Sequence, residues 1–122
     1  MPRYPGLLLR VLGAQNPAMG PGKARLVALI AGTGSISAAA REMGMSYRRA
    51  WQLVEALNRS FNEPVVVTAT GGKRGGGAVV TDFGKRLVAR YHDMEDKASA
   101  AIASDLRAFS AHLRKPSKRK SR

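Results

Sequence analysis

Cysteine is absent from the chain, which excludes disulfides and thiolate metal ligands and leaves the redox compartment undetermined. Acidic residues are scarce. Only 8 Asp and Glu stand against 21 Lys and Arg, a formal net charge of +13, and the first acid along the chain is Glu42. Long hydrophobic runs are missing too. The most apolar early stretch, residues 6–13 (GLLLRVLG), is short and carries Arg10, which fits a strand better than a signal peptide or a membrane span. The expectation is therefore a soluble, cytoplasmic chain. Histidine occurs only at His92 and His112, far apart, and neither sits in a nucleophile–base–acid arrangement. His92 beside Asp93, Glu95 and Asp96 fits a solvated helix face better than a metal site. No catalytic set, metal site or cofactor is expected, and the chain does not read as an enzyme.

The 122 residues suffice for one hydrophobic core but not for two full domains. Part of the charge is a tail: residues 114–122 (RKPSKRKSR) hold six basic side chains and no acid, a low-complexity stretch expected to be disordered when free. Without them, residues 1–113 keep 15 basic against 8 acidic side chains, a net of +7. A polyanionic partner follows naturally from such a balance, although many basic proteins bind no nucleic acid. An anionic membrane fits less well, because no amphipathic anchor adjoins the tail on a suitable face.

What is present is concentrated in residues 35–61, SISAAAREMGMSYRRAWQLVEALNRSF. The spacing predicts two short helices joined by a tight turn. Ser35 is placed to cap the first, which buries Ile36, Ala39, Ala40 and Met43; Gly44 stops it. Ser46 caps the second, which buries Ala50, Val54, Leu57 and Phe61. The small Ala39 and Ala40 let the helices cross closely, as a helix-turn-helix requires. The second helix then presents Tyr47, Arg48 and Arg49 outward, with Gln52 one turn on. These side chains reach phosphates and base edges, as on a DNA-recognition helix. The bland alternative is a helical hairpin with a solvated basic face.

Around this unit the pattern predicts a strand over 7–12, a Pro- and Gly-containing loop over 14–22, and a helix over 23–31. Pro64 and the β-branched run 65–68 begin a hairpin, closed by a second strand over 78–81. Its connection, residues 71–77 (GGKRGGG), fails as a nucleotide cradle. It lies between strands rather than before a helix, and Lys73 is followed by Arg74 instead of Ser or Thr. Two adjacent cations at a glycine-rich tip suit a wing on the DNA backbone or minor groove; the alternative is a merely flexible turn. From Thr81 the apolar residues Phe83, Leu87, Tyr91, Met94, Ala98, Ile102, Leu106, Phe109 and Leu113 recur every three or four positions. They describe one long amphipathic helix over 81–113, or two joined near residues 98–103. A stripe that outruns so small a domain calls for a second copy of itself, unless its far half folds back. Leu87, Tyr91, Met94, Ile102, Leu106 and Phe109 are the candidate dimer contacts.

The order strand, helix, helix-turn-helix, hairpin, long helix describes a mainly α fold with a small β-hairpin, a winged helix-turn-helix. Residues GSISAAAREMGMSYRRAW and NRSFNEPVVVTATGGKRGGGAVVTDFGKRLV closely resemble the amino-terminal DNA-binding domain of the ModE family of molybdate-responsive transcriptional regulators. The likeness spans roughly residues 7–110, and the pairing of SYxxAW with ATGGKxGGGA and a T-x-x-G turn makes it specific. A more distant likeness to LysR-type regulators runs through residues 35–57. The resemblance implies Ser46, Tyr47, Arg48, Arg49 and Gln52 at the major groove, Lys73 and Arg74 on the wing, and dimerisation through the helix after Thr81. Trp51 matches the family tryptophan, and packing between recognition helix and wing suits it better than base stacking. Full-length family members carry molybdate-binding modules for which 122 residues leave no room, so molybdate binding is not expected of this chain alone.

The expected organisation is thus a DNA-binding domain over 1–113, including the terminal helix, and a basic tail over 114–122. The expected function is a homodimeric transcriptional regulator reading a near-palindromic operator in double-stranded DNA. Arg48 or Arg49 would contact guanine, while Lys23, Arg25, Lys73, Arg74 and the tail neutralise phosphates. The rival is a sequence-tolerant architectural protein driven by charge; a small nucleotide-using enzyme is a third, weaker candidate.

Overall fold

A computed structural model describes residues 6–69 and 77–115. Among them run two short strands, β1 (Val11–Leu12) and β2 (Pro17–Met19), and three helices, α1 (Pro21–Thr33), α2 (Ile36–Met43) and α3 (Tyr47–Ser60). The strands β3 (Val66–Ala69) and β4 (Gly77–Val80) follow, then α4 (Asp82–Ala101) and α5 (Ala103–Ser110). This is the winged helix-turn-helix that the pattern predicts.

Both expected caps form. The Ser35 hydroxyl accepts the Ala38 amide and the Ser46 hydroxyl accepts the Arg49 amide, each at 3.0 Å, which satisfies donors that a helix start leaves open. Between them Gly44 takes the left-handed conformation, φ 69°, that lets α2 end abruptly and the chain turn into α3. Ala39, Ala40 and Ala50 are almost wholly buried where α2 and α3 pack together. With no side chain beyond Cβ, they let the two backbones approach closely. Leu26 and Ile30 of α1, Val54 and Leu57 of α3, and Val65 and Val66 at the hairpin complete the centre of the core.

The hairpin is fixed at its base by three sets of hydrogen bonds. Asn58 Oδ1 accepts the amides of Val65 and Val66 at 2.8 and 3.1 Å, and its Nδ2 donates to the Val66 carbonyl at 2.9 Å. The Ala78 amide donates to the Gly34 carbonyl at 2.9 Å, tying β4 to the α1–α2 junction. Thr81 caps α4 by accepting the Gly84 amide at 2.9 Å while its own hydroxyl donates to the Pro64 carbonyl at 2.8 Å. β3 and β4 pair antiparallel in unbroken register from Val66–Val80 to Ala69–Gly77.

Three local expectations change. The strand over 7–12 shrinks to Val11–Leu12, because it pairs only with β2, through an irregular register, inside the stretch 14–22 read as loop. Pro17 is tolerated there as the first residue of a short strand at the edge of a two-stranded sheet. Helix α1 begins at Pro21, an imino residue suited to a first turn, and runs through Gly32 to Thr33. The helix over 81–113 is divided: Ile102, at φ −109° and ψ 15°, leaves the helical region between α4 and α5. The break falls within the segment 98–103 named by the two-helix alternative.

Candidate nucleic-acid interface

Helix α3 has four sides with distinct surroundings. Ala50, Val54 and Leu57 face the core. At about 100° per residue, Arg48 and Gln52 lie along the opposite crest, followed by Glu55 and Arg59; all four are exposed. Tyr47 and Trp51 flank the crest toward the hairpin and line a hollow of about 470 Å³ with Ser35, Ser37, Thr68 and Gly77. Arg49 and Leu53 flank it on the other side, lining a second cleft with Arg10, Gly20, Lys23 and Met43. Trp51 is half-buried against the core and lies between recognition helix and hairpin, where packing was expected of it.

The predicted site residues of the helix-turn-helix therefore come together on one surface. Ser46 is the exposed cap of α3, and Tyr47, Arg48, Arg49 and Gln52 are all exposed within its first two turns. Arg25 is exposed on α1. Lys23 is half-buried, and its ammonium donates to the Pro17 carbonyl at 2.6 Å. Burial, with help from the nearby charges of Arg10 and Arg49, lowers the Lys23 pKa below its ordinary value. Lys73 and Arg74, and tail residues 116–122, lie outside the described residues.

The terminal stripe needs one correction. Tyr91, expected on an intermolecular face, is 3% exposed in its own domain and its hydroxyl donates to the Leu9 carbonyl at 2.6 Å. It fastens α4 to the segment before β1, because the helix face at that position looks inward. Burial foremost, then the Glu95 charge, pushes its pKa up to about 12. Leu87 is half-buried against the same core. Further along, Met94 and Phe109 are exposed, Ile102 and Leu106 are half-buried, and no residue of α5 is buried.

Two residues escaped the sequence reading. Glu55 repeats the Arg48 position two turns on, a signal that strict helical periodicity carries. Arg10 joins Lys23 and Arg49 only through the pairing of β1 with β2, which no local pattern announced. The acidic surroundings of His92 are solvent-facing: His92 Nδ1 meets Glu95 at 2.8 Å, Lys97 meets Asp93 at 3.2 Å, and no metal-holding cluster exists among the described residues. No described helix is long and apolar enough to cross a membrane.

A trihelical core, a helix crest of exposed polar and cationic side chains, and a hairpin docked beside it define a winged helix-turn-helix DNA-binding domain. The chain belongs to the lysR family of bacterial regulatory helix-turn-helix proteins, whose model matches residues 22–85. It is 46% identical over 108 residues to the molybdenum-pterin-binding protein MopB of Rhodobacter capsulatus, covering 88% of this chain and 37% of that protein. It is 38% identical over 85 residues to the molybdenum transport protein ModE of Azotobacter vinelandii, covering 70% and 32%. With the DNA-binding transcriptional dual regulator ModE of Escherichia coli K12 it shares 36% identity over 102 residues, covering 81% and 39%. The expected kinship with ModE is borne out. The chain spans between 32% and 39% of the length of these three relatives.

Proposed function

We propose that this chain is the DNA-reading part of a ModE-type transcriptional regulator that binds a near-palindromic operator as a homodimer. The observation that carries the reading is the crest of α3, where Arg48 and Gln52 stand clear of the protein between two flanking hollows. A helix so presented enters a major groove with its first turns against base edges. There an arginine can hold guanine through two hydrogen bonds and glutamine can do the same for adenine. Lys23, Arg25, Lys73, Arg74 and the basic tail supply phosphate neutralisation, which adds affinity without sequence information. The dimer is supported by the apolar residues of the terminal helices, above all Phe109, 67% exposed, and Met94. Two copies joined there would set half-sites a whole number of helical turns apart.

The molybdenum compounds in the relatives' names belong to proteins of which this chain matches less than two fifths. Molybdate binding is not assigned to these 122 residues. The net charge of +13 favours a second reading, a sequence-tolerant architectural binder held mainly by its tail. Genome-wide mapping of bound sites in the native host, followed by titration of a recovered site against random duplex, tests the first reading. A tight, recurrent motif that outcompetes random DNA supports it. Removing residues 115–122 then separates the two, since a reader keeps its operator preference and a charge-driven binder loses nearly all affinity.

A further inference from the structure

The cleft between α1 and α3 is electrostatically unbalanced. Arg10 from the segment leading into β1, Lys23 from the first turn of α1 and Arg49 from the flank of α3 line one hollow of about 430 Å³. A side chain at Gly20 would touch Cγ and Nε of Arg10 at 3.7 and 3.8 Å, so the arginine stem lies over the residue that opens α1. That residue offers no side-chain cap, and the first turn of α1 contains no acid. The helix end thus adds partial positive charge to three cations. No carboxylate lines this hollow, and the contacts between basic and acidic side chains among the described residues, His92–Glu95 and Lys97–Asp93, both lie on α4. Three like charges therefore share one hollow, and the Lys23 pKa is lowered first by burial and then by the charges of Arg10 and Arg49.

We propose that this cleft is a phosphate seat, in which Arg10, Lys23 and Arg49 together hold one backbone phosphodiester of the bound duplex beside the groove that α3 enters. The assignment rests on the DNA-binding reading above. It divides the labour of the adjacent arginines. Arg49 is a positioning residue that fixes the register of α3, and base recognition falls to Arg48 and Gln52 on the crest. It also adds Arg10, from outside the helix-turn-helix, to the DNA contacts. A nucleic-acid phosphate rather than a free ion is the occupant, because the cleft opens directly alongside the exposed face of the recognition helix.

The test uses the whole chain with three variants, a random-sequence duplex and inorganic phosphate. Arg10→Ala should bind the random duplex several-fold more weakly, with the slope of log affinity against log salt shallower by about 1; Arg10→Lys should restore most of that slope. Gly20→Asp brings an acid to the cleft and a cap to α1 in an extended backbone that any residue adopts. It should raise the melting temperature while weakening duplex binding, an opposition that a purely structural role cannot produce. An Arg10→Ala protein that melts no lower than the parent and binds with unchanged affinity and slope would overturn the seat. So would Gly20→Asp with undiminished DNA binding. Saturable sub-millimolar binding of inorganic phosphate by the unliganded protein, lost in Arg10→Ala, would make a free oxyanion the occupant instead and also refute it. Failure of the parent chain to bind any duplex would be a different result, removing the DNA-binding reading itself.

Discussion

Gly84 passes so close to Val65 that a β-carbon at position 84 would lie 2.5 Å from the Val65 carbonyl oxygen and 3.0 Å from its side chain. The contact lies at the base of the hairpin, where the Thr81 amide donates to that same carbonyl at 3.0 Å. Nothing there can give way without moving the strand. Gly84→Ala should therefore cost about 1–3 kcal/mol, the range for overpacking, and the loss should be visible in urea unfolding. Because the displaced strand carries the wing, DNA affinity should fall further than the stability loss alone explains. An alanine variant with unaltered unfolding would show that the approach is looser than described.

Tyr91 joins α4 to the segment before β1 through its bond to the Leu9 carbonyl. Tyr91→Phe leaves that carbonyl without its partner and should cost about 1 kcal/mol. The pH dependence has a definite sign. With its folded pKa raised to about 12, the phenol binds its proton more tightly folded than unfolded. Its contribution is complete below about pH 10, the ordinary tyrosine value, and is lost as pH rises toward 12. The phenylalanine variant should lose less stability than the parent over that interval. Equal losses in paired denaturant titrations at about pH 9, below the window, and about pH 11, inside it, would contradict the assignment.

Much of this architecture was legible because its signals are local. Ser35, Gly44 and Ser46 mark helix ends by their own chemistry, and the apolar spacing around Ala39, Ala50 and Val54 sets which faces meet. Thr81 and Gly84 could be recognised as a motif, but the reason for the glycine, a carbonyl nineteen residues earlier, appears only in three dimensions. The β1–β2 pair was hidden because two prolines and small residues dominate its stretch, and its pairing is brief and irregular. Tyr91 was misplaced for a related reason. Periodicity identifies an apolar stripe but not whether its partner is the same chain or another. The three-cation cleft assembles residues from β1's approach, α1 and α3, a combination that no single window of sequence displays.

The crest and the wing should separate in function. Arg48→Ala removes the side chain placed for bidentate contact with guanine and should cost about 1–3 kcal/mol of discrimination at one operator position. Lys73→Ala should weaken operator and random duplex alike and reduce the salt slope by about 1. Parallel competition titrations over a series of salt concentrations make the comparison. Equal losses on both kinds of DNA for both variants would remove specific reading and favour the architectural alternative.

The dimer prediction turns on Phe109, which is 67% exposed on α5 and makes no contribution to the buried core. Phe109→Asp should therefore leave helicity and unfolding of the domain nearly unchanged. If α5 meets a second copy, the substitution places a carboxylate in an apolar contact, where an unpaired charge is strongly disfavoured. Sedimentation should then report a monomer, and affinity for a two-half-site operator should drop toward that for a single half-site. A Tyr91 variant would be a poor probe of the same question, since that side chain is committed to its own fold. A parent chain that sediments as a monomer at concentrations saturating the operator would place the partner of Phe109 elsewhere and remove two-fold reading of the site.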